Sequence, residues 1–282
     1  MRVLAIALAV ASLADVSPGV QQTGESRVAL ASVTDPRNKP FVDVGADDFV
    51  IQEGGAAREV LSVRPADYPI AVLIDTGGEA RADFPLMQAA AAHFIDRIGQ
   101  RPIAIGTLGG TPAMQTTFDD DRKTVLAKLS ALTADASAPS RLLQGTALAA
   151  ETMRASGTLF SGVVVLSATA ADASLERLDE LMAPVIDSNA TLHVIANRPG
   201  QTAASGVRSS PALRALAEQS HGEFTVVYSA ASYQAALDRL ADRLTSEMMI
   251  EYLVPVGSKP RDVKVGVRII GAKVRGLGVA PR

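Results

Sequence analysis

The chain predicts an α/β fold: a doubly wound, mostly parallel sheet flanked by helices (Rossmann-like), plus a small β domain built from N- and C-terminal strands. Three observations carry that expectation. An uncharged run at residues 70–74 stops at Asp75 and two glycines, as expected for a strand buried on both faces. A second such run at residues 162–166 ends in Ser167-Ala-Thr169, and strand and helix patterns alternate from 70 to 248. Outside that region, both ends of the chain carry short strands with polar alternation.

Of 282 residues, 48% are apolar and 20% charged, with a net charge of -3, so a full core is affordable and disorder is not expected. No basic stripe is present and aromatics make up 4%, which argues against nucleic acid as a partner. The absence of cysteine excludes disulfides, thiolate metal sites and cysteine nucleophiles. Met1-Arg2, an apolar stretch over 3–13 and Ser12-Leu-Ala14 together match a secretory signal peptide at 1–14, too short to span a membrane. The expected location is therefore periplasmic or extracellular.

Taken in order, residues 15–24 are small and turn-prone and read as a flexible leader. The N-terminal β segment, 25–66, holds strands near 27–33, 48–53 and 58–63, with Gly54-Gly55 marking a hairpin turn. Three strands of this length bury too little on their own and require a partner. Asp83 then caps a helix with Pro85 in its first turn and Phe84, Met87, Ala91, Phe94 and Ile95 on one face, ended by Gly99. A strand at 102–105 opens into Gly106-Thr-Leu-Gly-Gly110, and residues 114–118 suit an edge strand because Pro112 would spoil a central one.

Asp119-Asp-Asp121 precedes a helix carrying Val125, Leu129 and Leu132, where acids act as partners of the helix dipole. Residues 134–140 form a loop of small side chains, and Gln144-Gly-Thr-Ala-Leu148 enters the next helix. Leu175, Leu178, Met182, Val185 and Ile186 mark another, and strand 191–195 follows. Ser210 and Pro211 open a helix that Gly222 ends, before strand 223–227 and a helix over 232–248. Strands near 249–255 and 263–269 form a C-terminal hairpin and tail, 249–282, expected to pack with 25–66.

With those positions placed, the chain resembles a von Willebrand factor type A domain protein of the exported bacterial kind. Asp48-Phe-Val-Ile-Gln-Glu-Gly54 resembles a segment that precedes such domains. Ile70-Ala-Val-Leu-Ile-Asp75 resembles the first strand, Gly145-Thr-Ala-Leu148 the threonine loop and Val163-Val-Val-Leu-Ser167 the fourth strand. Tyr252-Leu-Val-Pro255 and the strand from Val263 resemble the β segment that closes these proteins. The resemblance places the domain itself at 68–248.

The resemblance implies a metal-ion-dependent adhesion site: Asp-x-Ser-x-Ser after the first strand, the loop threonine, and an aspartate after the fourth strand. Such oxygen ligands suit Mg²⁺. Asp75 and Thr146 match, whereas Gly77 and Glu79 stand at the serine positions and Ala168 at the second aspartate. The expectation is a degenerate site and a metal-independent, non-enzymatic module that binds a protein partner through the rim at 75–79, 107–111, 144–147 and 167–173. One alternative is a remodelled cation site on Asp75, Thr146 and Glu79 with Asp172 leaning in; another is a scaffold component that binds through its small β domain. His93, His193 and His221 are scattered, His193 reading as a satisfied interior residue, and no serine elbow or phosphate loop occurs. No catalytic residue is assigned.

Overall fold

A computed structural model describes residues 24–41, 44–169, 172–174, 177–197 and 211–281. The signal peptide and nearly all of the leader read from the sequence lie outside the described residues, as do Leu175 and Ser210. No helix among the described residues is long and apolar enough to cross a membrane.

Six strands make the central sheet: β5 (Ile70–Ile74), β6 (Ile103–Thr107), β7 (Ala113–Met114), β8 (Ser161–Ser167), β9 (Ala190–Asn197) and β10 (Glu223–Val227). Their order is β10-β9-β8-β5-β6-β7, all parallel except the two-residue edge strand β7. Among the described residues, the helices that cover it are α1 (Phe84–Arg97), α2 (Arg122–Ala131), α3 (Leu142–Ala155), α4 (Leu178–Asp187), α5 (Pro211–Gln219) and α6 (Ser232–Thr245). Alternate residues of β5 feed opposite cores. Ile70, Val72 and Ile74 pack with α1, α2 and α6, while Ala71 and Leu73 pack with α3, α4 and α5. That is why the run is apolar at every position rather than at every second one.

The termini form a β sandwich. One sheet is β13-β1-β11-β4, built from β1 (Gly24–Thr34), β4 (Val60–Pro65), β11 (Glu247–Pro255) and β13 (Lys273–Pro281). The other is β12-β2-β3, from β2 (Phe49–Glu53), β3 (Ala56–Arg58) and β12 (Val263–Val267). Ala29, Phe49, Ile51, Ile250 and Tyr252 fill the space between them. Gly54 and Gly55, both at positive φ, make the expected tight turn between β2 and β3.

Two expectations change here. β11 and β12 are not a hairpin: each joins a different sheet, because both apolar faces must meet in one core. The stretch expected as tail holds a third C-terminal strand, β13, paired with β1. Between the central sheet and the sandwich, the Tyr68 hydroxyl donates to Glu247 at 2.5 Å, and Arg101 stacks over the Tyr68 ring while donating to the Leu244 carbonyl. Burial raises the Glu247 carboxyl above its ordinary range.

Asp121 caps α2 by accepting from the Thr124 N–H, and that bond lowers its pKa. Asp83, in contrast, makes no side-chain cap on α1. Its carboxylate instead accepts from the Asn197 amide at 2.8 Å, holding α1 to the end of β9.

His193, on β9, is buried but not satisfied: neither ring nitrogen has a hydrogen-bond partner. Burial, helped by the charges of Arg243 and Arg275, lowers its pKa from 6.5 to about 3. The unfolded chain therefore takes up a proton that the folded chain refuses between those values, so stability falls as pH drops below 6.5. Going from neutral pH to about pH 5, His193 alone is expected to remove ~2 kcal/mol. Urea melts at both pH values check this. His193→Leu should flatten that acid slope without loss at neutral pH, and an unchanged slope would contradict the assignment.

Candidate functional site

In an open α/β sheet, ligands favour the crevice at the carboxyl ends of the strands where the winding reverses. Here that point lies between β5 and β8, which run on to β6 on one side and β9 on the other. Asp75 follows β5 and Ser167 closes β8, so the two face each other across the switch point. The Asp75 carboxylate is fully buried. Its Oδ1 accepts from the Gly77 N–H at 2.9 Å and the Ser140 hydroxyl at 2.7 Å; its Oδ2 accepts from the Ser167 hydroxyl at 2.6 Å. The Thr169 N–H in turn donates to Ser167 Oγ, and Tyr233, buried so that its pKa is raised, donates to the Ser167 carbonyl.

The crevice is filled by the chain itself. The small-residue loop over 134–140 is laced between its neighbours: Asp135 N–H donates to the Thr76 carbonyl, Gly78 N–H to Ala138, and Gly110 N–H to Pro139. The fit is close. A Cβ on Gly77 would stand 2.4 Å from Ser140 Oγ, one on Gly78 would stand 2.4 Å from the Ala136 carbonyl, and one on Gly109 would meet Thr76 at 2.5 Å. Glycine is required at 77 and 78 by the loop lying over them, and at 109 by the backbone of Thr76 and Gly77.

The residues singled out from the sequence do not converge. Thr146 is buried in the second turn of α3, and its hydroxyl donates back to the Leu142 carbonyl. Glu79 lies in a short 3-10 turn, Gly78–Ala80, with its side chain exposed. Asp172 does not lean toward Asp75. It accepts from the N–H groups of Leu142 and Leu143 and from Ser174, capping α3 from 30 residues downstream.

The side chains gathered here depart from the ligand set that the resemblance implies. The place where a serine oxygen would stand at position 77 is taken by Ser140, Ala168 carries no oxygen ligand, and both Asp75 oxygens already accept hydrogen bonds. Among the described residues, no group of three or more acidic or histidine side chains is close enough to hold a metal.

Ser140 is the residue that sequence reasoning missed. It sits in a run of small side chains with no motif around it, and only the folded loop brings its hydroxyl to Asp75.

No protein-family profile matches the chain, and no curated protein sequence is similar to it. Solved structures are similar in fold. A von Willebrand factor type A protein from Catenulispora acidiphila superposes with a TM-score of 0.54 at 11% identity, covering 93% of this chain and 74% of that one. Proximal thread matrix protein 1 from the mussel byssus, in a structure described as having a zinc-occupied adhesion-site motif, gives 0.54 at 14% identity. That match covers 71% of this chain and 48% of the mussel protein, so the chain spans about half the mussel protein's length. The architecture is von Willebrand factor A-like, with a mostly parallel sheet and an antiparallel sheet from the two termini.

Proposed function

We propose that this von Willebrand factor A-like chain is an exported, non-enzymatic interaction module that engages a protein partner through its rim without a metal bridge. The observation that supports this reading is the triply hydrogen-bonded Asp75. In the mussel protein the adhesion-site motif is described as holding zinc. In this chain the aspartate after β5 is spent instead on fixing three loops to one another.

A partner would meet a rigid rim whose exposed positions include Glu79 and Thr111. Preorganisation of this kind lowers the ordering cost of binding. Ser167, the best-placed candidate nucleophile, donates its hydrogen bond to a carboxylate rather than to a histidine, which favours binding over catalysis.

The test combines metal titration with site-directed crosslinking. Calorimetry and melting curves in Mg²⁺, Mn²⁺ or Zn²⁺ are expected to match those in EDTA. Photocrosslinkers at Glu79, Thr111 and Gln144, in the native cell envelope, are expected to yield a common adduct that EDTA does not abolish; one at Lys123, on α2, should not. A metal-induced rise in Tm that vanishes in Asp75→Ala would overturn the metal-free reading. Equal adducts from Lys123 and from the rim would overturn the rim as the binding face.

A further inference from the structure

The opposite end of the sheet carries a second surface, distinct from the rim and independent of the role proposed for it. There, β13, the outer strand of its sheet, passes the starts of β9 and β10 and the end of α6. A groove of about 670 Å³ opens along this junction, lined by Arg37, Lys39, Arg239, Arg243, Lys273 and Arg275. Only two acids share it. Asp242 is engaged by Lys39 and Arg97, and Glu223 by Arg243. Arg37, Arg239 and Arg275 are exposed and have no acidic partner within ion-pair distance among the described residues. The concentration of charge is felt inside the protein: after burial, the nearby Arg275 is the next cause lowering the pKa of Arg243. A chain with a net charge of -3 has collected six cations in one groove.

Beside the groove lies a cavity of about 250 Å³ with an apolar lining that includes Leu30, Phe160, Leu216, Leu277 and Val279. Ile186 stands at its edge, 54% exposed. The two spaces share one strand: Val274 and Arg275 line the groove, and residues 277–279 line the cavity. From Arg275 to Val279 is ~13 Å at about 3.3 Å per strand residue. A single extended segment of about five residues can therefore reach both.

We propose that this seam docks an extended acidic segment of a partner protein, with its carboxylates against Arg37, Arg239 and Arg275 and one aliphatic side chain in the apolar cavity. Planar guanidiniums suit paired carboxylates, and the charge pattern matches an acidic ligand. Nucleic acid is the poorer fit. The cavity takes an aliphatic group rather than a phosphate, and its Phe160 is buried, leaving the exposed His221 as the one ring at its edge.

The test uses the full chain and fluorescent peptides at physiological salt. One peptide has a central leucine flanked by Asp and Glu; a second has glycine for the leucine; a single-stranded oligonucleotide of equal charge is the third probe. The acidic leucine peptide is expected to bind measurably and to weaken roughly tenfold in Arg239→Glu/Arg275→Glu. The glycine peptide should bind the unaltered chain several-fold more weakly, and Ile186→Asp should weaken the leucine peptide in the same way. Because Arg239, Arg275 and Ile186 are exposed, melting temperatures confirm that the variants fold. The proposal fails if the leucine peptide does not bind at millimolar concentration, if the charge reversals leave its affinity unchanged, if leucine and glycine peptides bind alike, or if the oligonucleotide binds as tightly.

Discussion

Asp75→Ala is expected to lower the unfolding free energy by roughly 3–5 kcal/mol, because three buried donors lose their common acceptor at about 1–3 kcal/mol each before relaxation. The donors are the Gly77 N–H and the hydroxyls of Ser140 and Ser167. The hydroxyls can turn toward other acceptors, but the backbone N–H cannot, so the loss falls short of the full sum. Asp75→Asn keeps one oxygen and presents an amide N–H₂ that cannot accept from Ser167, so a cost of about 1–3 kcal/mol is expected. Glu79→Ala, at an exposed position, should stay within about 0.5 kcal/mol of the unaltered protein. Denaturant titration of the three variants orders them. If Asp75→Ala cost no more than Glu79→Ala, Asp75 would not be the clamp that holds these loops.

The same site shows why the sequence reveals some of this and conceals the rest. Apolar residues at every position of 70–74 and 162–166 have one economical home, a strand covered on both faces, so the doubly wound sheet is legible. The position of Asp75 at a switch point follows from that sheet. Ser140 is not legible, because nothing local marks a serine whose partner lies 65 residues upstream. The start of α3 at Leu142 is hidden for the same reason: its cap, Asp172, arrives from 30 residues downstream. In the β domain, alternation identifies strands but not their partners, so β11 and β12 look like a hairpin although the core separates them. Gly276 and Gly278 interrupt the pattern of β13 enough to disguise it as tail, and the ladder with β1 shifts register there. Asp83 has the residue type of a helix cap, yet Asn197 offers its carboxylate a competing donor that only the fold supplies.

Arg27 and Glu53 should show the strongest coupling in the molecule. Arg27 lies on β1 and Glu53 at the end of β2, so their ion pair crosses the sandwich with both side chains almost wholly buried, at 5% and 3% exposure. Arg27 also donates to the Ser258 carbonyl and to Ser258 Oγ, and Glu53 accepts from the Arg261 N–H at 3.3 Å. The pair thus binds the first strand to the connection between β11 and β12, which passes from one sheet to the other. Removing one partner strands a buried charge, so Arg27→Met and Glu53→Leu are each expected to cost about 3–5 kcal/mol. The double replacement removes both charges of the pair and leaves only Arg58, 3.8 Å from Glu53 and 22% exposed, to turn toward solvent. It also adds apolar volume to a core already holding Ile51 and Tyr252, so most of the single-variant loss should return. A double-mutant cycle in denaturant measures this directly, with a coupling of at least ~2 kcal/mol expected. Strictly additive losses would mean that the two charges are solvated in the folded protein and that apolar packing alone closes the sandwich.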